Sequence, residues 1–457
     1  MSRRHIERPS VLRRFKPYPT YKDSGVEWLG EIPAHWEVRR LKHLAALNAE
    51  SLPEDTDPTR EMVYVDIGGV DNLGRIIERE QHTFASAPSR ARRLVRDGDV
   101  IVSTVRTYLR AIAAITNPET GMVVSTGFAV VRPESDLTTD YGAYALRAPY
   151  FVERIVANSK GVSFPAINES DMATYELAVP LELEQRAIAA FLDRETARID
   201  VLVAKKERLI ELLQEKRTAL ITRAVTKGLD SNVPTKDSCV EWLGEIPAHW
   251  QAKPLKALST LQTGLTLGKK YEGQRLTTRA YLRVANVQDG YLDLNDVAEI
   301  DLPVQDAARY ELQNGDVLMT EGGDFDKLGR GYVWEGQVTN CLHQNHIFAV
   351  RPRPEFLSSR YLALAMSSGY GRAYFTATSK QSTNLASTNS TKLRNLPMPL
   401  PRVAEQKAIT AFLTGETAKL DALIVKVRDA IDRLKELRTA LISAAVTGKI
   451  DLRGEAA

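Results

Sequence analysis

Lys22-Asp-Ser-Gly-Val-Glu-Trp-Leu-Gly-Glu-Ile-Pro-Ala-His-Trp36 returns 214 residues later as Lys236-Asp-Ser-Cys-Val-Glu-Trp-Leu-Gly-Glu-Ile-Pro-Ala-His-Trp250. One position in fifteen differs, Gly25 against Cys239, and four of the five tryptophans lie in these two copies. An internal repeat decides the domain plan before any local reading does. Three further echoes follow in the same order. Gly98-Asp99-Val100 answers to Gly315-Asp316-Val317, and the strand-like run before Arg132-Pro133 to the one before Arg351-Pro352. Glu184-Gln185-Arg186-Ala187-Ile188 answers to Glu405-Gln406-Lys407-Ala408-Ile409, and from there the copies stay in register through Arg217–Ile221 and Arg438–Ile442. The chain is a tandem duplication. Its repeats agree at their ends and disagree in their middles, residues 50–160 and 265–380, so the ends share one task and the middles have two.

The ends read as long helices. Apolar residues recur at Ile188, Leu192, Ile199, Leu202, Leu209, Leu213 and Leu220, and at Ile409, Leu413, Leu420, Leu423, Val427, Leu434, Leu437 and Leu441. Steps of three and four are the spacing of a coiled-coil seam. Glu195 and Glu416 fall on that seam in both copies, and Lys206 and Lys216 in the first. Lys227-Gly228 and Gly448-Lys449 end the helices, since glycine relieves the left-handed cap. The simplest closure is antiparallel pairing about a pseudo-two-fold axis; two separate helices, each packed on its own domain, is the alternative.

The middles read as α+β. Met62–Val65, Asp99–Ser103 and Phe128–Val131 are β-rich runs bounded by Gly, Asp and Pro, and Tyr281–Val284, Asp316–Thr320 and Ile347–Val350 are their partners in the second copy. Helical patches follow at 143–158 and 358–376. The Trp-rich segments with Pro33 and Pro247 lead into each domain, and their aromatics are structural or dock a partner used twice. The expected division is a basic arm (1–17), a first domain (18–180), a central helix (181–229), a second domain (230–401), a C-terminal helix (402–450) and a tail (451–457).

Composition bounds the function. The 457 residues are 43% hydrophobic and 26% charged, ordinary for a globular protein. Lys and Arg exceed Asp and Glu by only 61 to 58, so a basic surface must come from local clustering. Cys239 and Cys341 are too few for a disulfide framework and fit a reducing cytoplasm. No apolar run is long enough to span a membrane. Arg3, Arg4, Arg8, Arg13, Arg14 and Lys16 make the start a basic arm without the apolar core of a secretory signal; it touches phosphate or an acidic partner, or is a solvated tail.

No catalytic signature is visible. The nearest approach to a phosphate loop, Gly264–Lys270, has the wrong spacing and no hydroxyl. Asn117-Pro118 runs into Glu119 rather than completing an Asn-Pro-Pro-aromatic clamp, and neither Gly-x-Ser-x-Gly nor His-Glu-x-x-His occurs. Cys341-x-His343-x-x-His346 has metal-ligand residues, but on a strand His346 faces away from the other two and zinc needs four converging donors. No metal or cofactor is expected.

Two unlike domains, each closed by a near-identical long helix, resemble the specificity (S) subunit of type I restriction-modification systems. The residues that carry the resemblance are Trp28–Trp36 and its copy, and the Pro-x-x-x-Glu-Gln-x-Ala-Ile phrases that begin at Pro180 and Pro401. The loop Glu321–Gly331 and the segment Cys341–Phe348 are also similar to that family's target-recognition domains. The resemblance spans nearly the whole chain. It implies a non-catalytic subunit of an enzyme complex, with two variable target-recognition domains that each read one half of a split double-stranded DNA target. The two helices would then form a spacer between the readers and dock two copies of a methyltransferase (M) subunit, and nuclease-translocase (R) subunits would join that core. Two different readers agree with an asymmetric site, and a fixed spacer with a fixed gap on a duplex that turns every 10–10.5 bp.

Candidate base readers follow from side-chain chemistry. Gln and Asn bind adenine N6 and N7 in bidentate fashion, which selects Gln344, Asn345 and His346. In the glycine loop, Gly322, Gly323, Gly329 and Gly331 would let the chain press against the duplex and present Lys327 and Arg330; an ordinary mobile surface loop is the alternative. Glu321, Asp324 and Asp326 would orient those cations or accept from cytosine N4. Lys380, Ser382, Thr383 and Asn384 suit phosphate positioning, with Lys160 and Ser163 as their counterparts. Arg106, Tyr108 and Arg110 stand where the first domain lacks the glycine loop. His35 and His249 read as structural. A non-DNA adaptor, with two diverged protein-binding domains on a coiled coil, is the rival reading, and a metal-dependent nuclease is a third.

Overall fold

The computed structural model describes residues 15–161, 163–266, 268, 271–323, 328–381 and 386–454. The chain folds into two compact units, Met1–Lys206 with Asp429–Ala457, and Glu207–Arg428. The two long helices are Glu182–Lys227 and Val403–Val446, and each unit takes part of both. The division therefore runs through the helices rather than at their ends.

In the first unit a four-stranded sheet runs in the order Ala45–Leu47, Phe128–Pro133, Val100–Ser103, Ile112–Ala114, all antiparallel. A second sheet holds Glu61–Val65 between Glu80–Thr83 and Met122–Ser125, the latter pair parallel, with Ala91–Leu94 on the far edge. The expected helical patch at 143–158 is two helices, Thr139–Arg147 and Pro149–Asn158. Pro149 forces the break. It drives Ala148 to an extended ψ of 141° and then serves as the first residue of the next helix.

The second unit repeats the first of these sheets as Ser259–Thr263, Ile347–Pro352, Val317–Thr320, Gly331–Val333. Its other large sheet is different: Ala298–Pro303, Leu276–Leu282, Leu342–His343, with a helix Val304–Tyr310 added beside it. The helical patch is again split, into Ser359–Ser367 and Gly369–Thr378.

The echoes of the sequence meet in space. Asp99 is buried and takes a two-pronged ion pair from Arg132, Nε to Oδ1 and Nη2 to Oδ2 both 2.8 Å. Asp316 does the same with Arg351 at 2.7 and 2.8 Å. The Gly-Asp-Val and Arg-Pro echoes are thus two halves of one contact. The Trp-rich segment and the helix start are joined likewise. Trp36 Nε1–H donates to Glu184 Oε1 (3.1 Å) and His35 Nε2 lies 2.9 Å from Oε2. Trp250 and His249 bind Glu405 at 3.0 Å each. Gln185 receives the Thr138 amide and donates to carbonyls of Asp136 and Pro180, and Gln406 treats Ser358, Phe356 and Pro401 the same way. The other helix's end completes each cluster. Gly448, at φ +67°, has no room for a Cβ against Pro33, and Gly228, at φ +76°, sits against Trp250. The single difference between the fifteen-residue phrases falls where backbone and side chain conflict: Gly25 has φ +70°, and Cys239 is held at φ +57°, a conformation that costs a residue with a Cβ about 1 kcal/mol.

Within each unit the helices run antiparallel. In the second, Arg217 pairs with Asp421 (3.1 Å) while Ile221, one turn on, shares a crevice with Thr410, Thr414 and Thr417, earlier in the other helix. In the first, Arg438 pairs with Asp200, and Ile199, Val203, Leu434 and Leu437 join one core. The expected seam is corrected by one residue at several steps. Leu202, Leu209 and Leu423 are exposed, and Val203, Ile210 and Ile424 take their places inward. Lys216 likewise points outward and Arg217 inward. Both registers satisfy the three-four spacing of the apolar residues; only the partner helix distinguishes them.

Two predictions concern stability. Glu184→Ala strands the buried donors of Trp36 and Tyr18, whose hydroxyl also bonds Glu184, and should cost about 2–4 kcal/mol in calorimetric unfolding. Glu405→Ala, with one donor fewer, should cost less. His343 is fully buried with Nδ1 2.9 Å from the Ile347 carbonyl, and burial lowers its pKa to about 4. The unfolded chain then binds the extra proton, so this stability is complete above about pH 6.5 and is lost as pH falls towards 4, on the order of 3 kcal/mol in all. Urea midpoints of the wild type should drop across that window, and those of His343→Leu should drop less.

Candidate nucleic-acid interface

In both units the strand at the heart of the repeated sheet runs out into a loop before its hairpin partner. In the first unit this loop is Thr104–Arg110, between Val100–Ser103 and Ile112–Ala114. Arg106 and Arg110 are both left-handed, at φ +53° and +54°, and flank a tight turn closed by amide bonds from Leu109 to Arg106 and from Arg110 to Thr107. Thr107 is buried and anchors the loop through the Ser159 hydroxyl at 2.9 Å. Arg106, Tyr108 and Arg110 are consequently turned outward and exposed.

A second loop lies against the first. Lys160 and Ala166 exchange both backbone hydrogen bonds, Ala166 also bridges Val105, and the Arg106 amide donates to the Pro165 carbonyl at 2.8 Å. The Arg106 guanidinium lies 4.8 Å from the centre of the exposed Phe164 ring. Lys160 and Ser163 are exposed on this hairpin. The five residues expected from the sequence of the first domain are brought together on two adjoining loops.

The second unit builds the same place with other residues. Glu321 follows the strand Val317–Thr320; its amide donates to the His346 carbonyl (2.9 Å) and its carbonyl accepts from Thr388 (2.8 Å). Gly322–Gly323 then pairs with Ala386–Ser387, which pairs with Lys380–Gln381. Gly322, Ser387 and Lys380 hold the positions of Val105, Ala166 and Lys160. Lys380 is exposed at the start of its hairpin, as Lys160 is. Lys327, Ser382, Thr383 and Asn384 lie outside the described residues, as do Asp324 and Asp326. Arg330 is half-buried, and its carbonyl accepts from the Thr320 amide.

The expected strand through Cys341–Phe348 is broken in two. Leu342–His343 belongs to one sheet and Ile347–Pro352 to another, and Gln344–His346 is the turn by which the chain changes sheets. The turn presents His346, exposed, with Nδ1 2.8 Å from the Glu321 carboxylate. Asn345 is beside it, half-buried, with Nδ2 3.5 Å from His346 Nε2. Gln344 Oε1 faces the Val284 amide at 3.3 Å, which leaves its NH2 group as the available donor. Glu321 thus orients a candidate reader directly.

Two of the loop glycines have a job within the protein. A Cβ on Gly331 would stand 1.8 Å from the Leu318 carbonyl oxygen, and one on Gly329 2.5 Å from the Phe375 ring. Their smallness lets the loop's return strand pack on its own protein.

Cys341 and His343 are in the core, and burial pushes the Cys341 thiol up to about 12. His346 is on the surface turn, so the three do not converge. Among the described residues no three His, Cys, Asp or Glu side chains are grouped to hold a metal ion, and no helix is long and apolar enough to cross a membrane.

Arg106, Arg110, Lys160, Lys380 and Arg330 have no carboxylate partner among the described residues, unlike Arg75, Arg96, Arg132 and Arg154 elsewhere in the first unit. Unpaired cations on loops beside an aromatic face are the chemistry of phosphate and base contact. Phe164 was not among the residues singled out above. The signal for it was there, an aromatic side chain between Ser163 and Pro165 and close to Lys160, but its exposure is settled only by the hairpin.

Residues 33–212 match the family model described as the type I restriction modification DNA specificity domain. The chain is 24% identical over 324 residues to the type I restriction enzyme StySPI specificity subunit of Salmonella potsdam, covering 70% of this chain and 67% of that one. It is 24% identical over 326 residues to the EcoKI specificity subunit of Escherichia coli K12, with 70% and 68% covered. Its fold superposes with a TM-score of 0.71, at 24% identity, on a chain from a solved structure described as showing complex assembly and conformational transition of the type I R-M system, over 92% of this chain and 99% of that one. With its duplicated helices, two unlike α+β units and paired loops, the chain is similar to type I restriction enzyme specificity subunits over about two thirds of its length, and shares its fold with that solved chain.

Proposed function

We propose that the chain reads a split, asymmetric double-stranded DNA target, one half-site per unit, and thereby directs adenine methylation and restriction by partner subunits while performing no catalysis itself. The observation that carries this reading is the pair of equivalent loop clusters. The same two connections of the same fold bear Arg106, Tyr108, Arg110 and Lys160 in one unit, and Arg330 and Lys380 in the other, where the neighbouring turn 344–346 adds Asn345 and His346 beside Glu321. Equal position with unlike side chains is what two readers of different sequences require. Lys160, Ser163 and Lys380, with Lys327, Ser382, Thr383 and Asn384, are assigned to the phosphate backbone, and Gln344, Asn345 and His346 to base edges in the major groove.

The near-identical helices are assigned to two copies of a methyltransferase subunit, one for each copy of the repeat, with nuclease-translocase subunits joining that assembly in the cytoplasm. The domains of this reading are 18–180 and 230–401, with the helices 181–229 and 402–450, the arm 1–17 and the tail 451–457.

Mapping methylated adenine across the host genome with and without the gene tests the reading. A two-part asymmetric motif should vanish on deletion; an unchanged map with an active methyltransferase sinks it. In the same assay, Gln344→Ala with Asn345→Ala should relax or abolish one half of the motif and leave the other intact, at about 1–3 kcal/mol per lost bidentate contact. Lys380→Ala should act differently. It should weaken binding to every sequence alike and reduce the slope of log K against log salt by about one, measured by titration at several salt concentrations.

A further inference from the structure

At the start of the two long helices the repeats differ in an occupant. In the first unit the segment Phe15–Tyr18 lies across the start of the first long helix. Phe15 meets Phe191 edge-on with centroids 5.4 Å apart, and the Tyr18 hydroxyl donates to Glu184 Oε1 at 2.5 Å. Tyr18 also packs edge-on against Trp36 at 5.8 Å. Lys16 and Pro17, between the two aromatics, face solvent, and the Lys16 carbonyl accepts from the Asp451 amide. The fit is metric. Glu184 and Phe191 are two helical turns apart, about 10.5 Å at 1.5 Å per residue, and three extended residues reach about 10 Å.

The second unit has the same seat. Glu405 and Phe412 correspond to Glu184 and Phe191, and Leu229 corresponds to Ile450. Nothing described lies across them. Phe412 is 42% exposed where Phe191 is 2%, Leu229 is 46% where Ile450 is 0%, and the Glu405 side chain is 33% where that of Glu184 is 6%. The reason is chain continuity. In the first unit the segments 15–18 and 450–453 run side by side, whereas in the second unit the single stretch after Lys227 stands in for both. Among the described residues Glu405 Oε1 accepts from Trp250 alone, where Glu184 Oε1 accepts from Trp36 and Tyr18. Gly415 stands in place of Arg194, whose guanidinium lies 5.5 Å from the centre of the Phe191 ring, and a Cβ on Gly415 would meet open space. A carboxylate with a spare acceptor and an uncovered aromatic two turns away are complementary to a hydroxyl or cationic donor and an aromatic ring.

We propose that the strip Glu405–Phe412, with Leu229, is a docking site for an extended segment of a partner protein that carries an aromatic residue and, three residues on, a tyrosine, seated as Phe15–Tyr18 is seated in the first unit. The site is independent of the DNA-reading loops.

The probe is a fluorescently labelled peptide of residues 13–21, Arg-Arg-Phe-Lys-Pro-Tyr-Pro-Thr-Tyr, titrated with the full-length chain and read by anisotropy. Saturable binding at one site per chain is expected. It should weaken at least tenfold on Phe412→Glu or Leu229→Asp in the protein, both changes at exposed positions, and on Phe15→Ala in the peptide. Tyr18→Phe in the peptide should weaken it about three- to tenfold, the worth of one hydrogen bond. Three results would overturn the proposal: no saturation by about 1 mM, equal binding by a scrambled peptide of the same composition, or undiminished binding to both protein variants. The last would mean that the peptide exchanges with the chain's own segment in the first unit.

Discussion

The carboxylate at the start of each long helix is the joint on which both units depend. Glu184 and Glu405 sit in the first turn, where backbone amides favour negative charge, and each gathers a buried tryptophan and a histidine from the Trp-rich segment. The adjacent glutamine ties the same turn to the start of the domain helix Thr139–Arg147 in one unit and Ser359–Ser367 in the other. The end of the other helix is pressed against the same indole, at Gly448 in one unit and Gly228 in the other. One acid therefore fixes where a domain meets two helices. This requirement explains why the repeat is nearly verbatim there and free elsewhere.

What the joint holds rigid, the loops use. The central strand of each repeated sheet is anchored by a buried aspartate–arginine pair, so the loop that follows it leaves from a fixed point. Beyond that point the two units diverge. The first unit holds two left-handed arginines in a tight turn and backs one with an aromatic ring; the second extends a small sheet from glycines and orients a histidine with Glu321. The contacts proposed for DNA reading lie on these loops rather than on the shared scaffold. The asymmetry at Phe412 has the opposite origin, a like scaffold with one covering segment fewer.

Much of the architecture was legible in the chain. Repetition determined two homologous units, the three-four spacing of apolar residues determined two long helices, and Gly228 and Gly448 marked their ends, because these depend on contacts near in sequence and on backbone conformations that few residues adopt. Arg106, Tyr108, Arg110 and Lys160 were identifiable as side chains suited to phosphate and bases. Tertiary structure decided the rest. The seam register moved from Leu202 to Val203 because neighbouring apolar residues satisfy the same period until a partner helix chooses between them. The run Cys341–Phe348 broke at Gln344 because two sheets claim its ends, and pairing partners 61 residues away at one end and 27 at the other leave no local trace. Gly329 and Gly331 admit Phe375 and a strand carbonyl, since a glycine declares that something comes close and never what. The joining of Asp99 to Arg132, and of Glu184 to Trp36, likewise rests on contacts between segments far apart in the chain, which sequence can echo but only folding can pair.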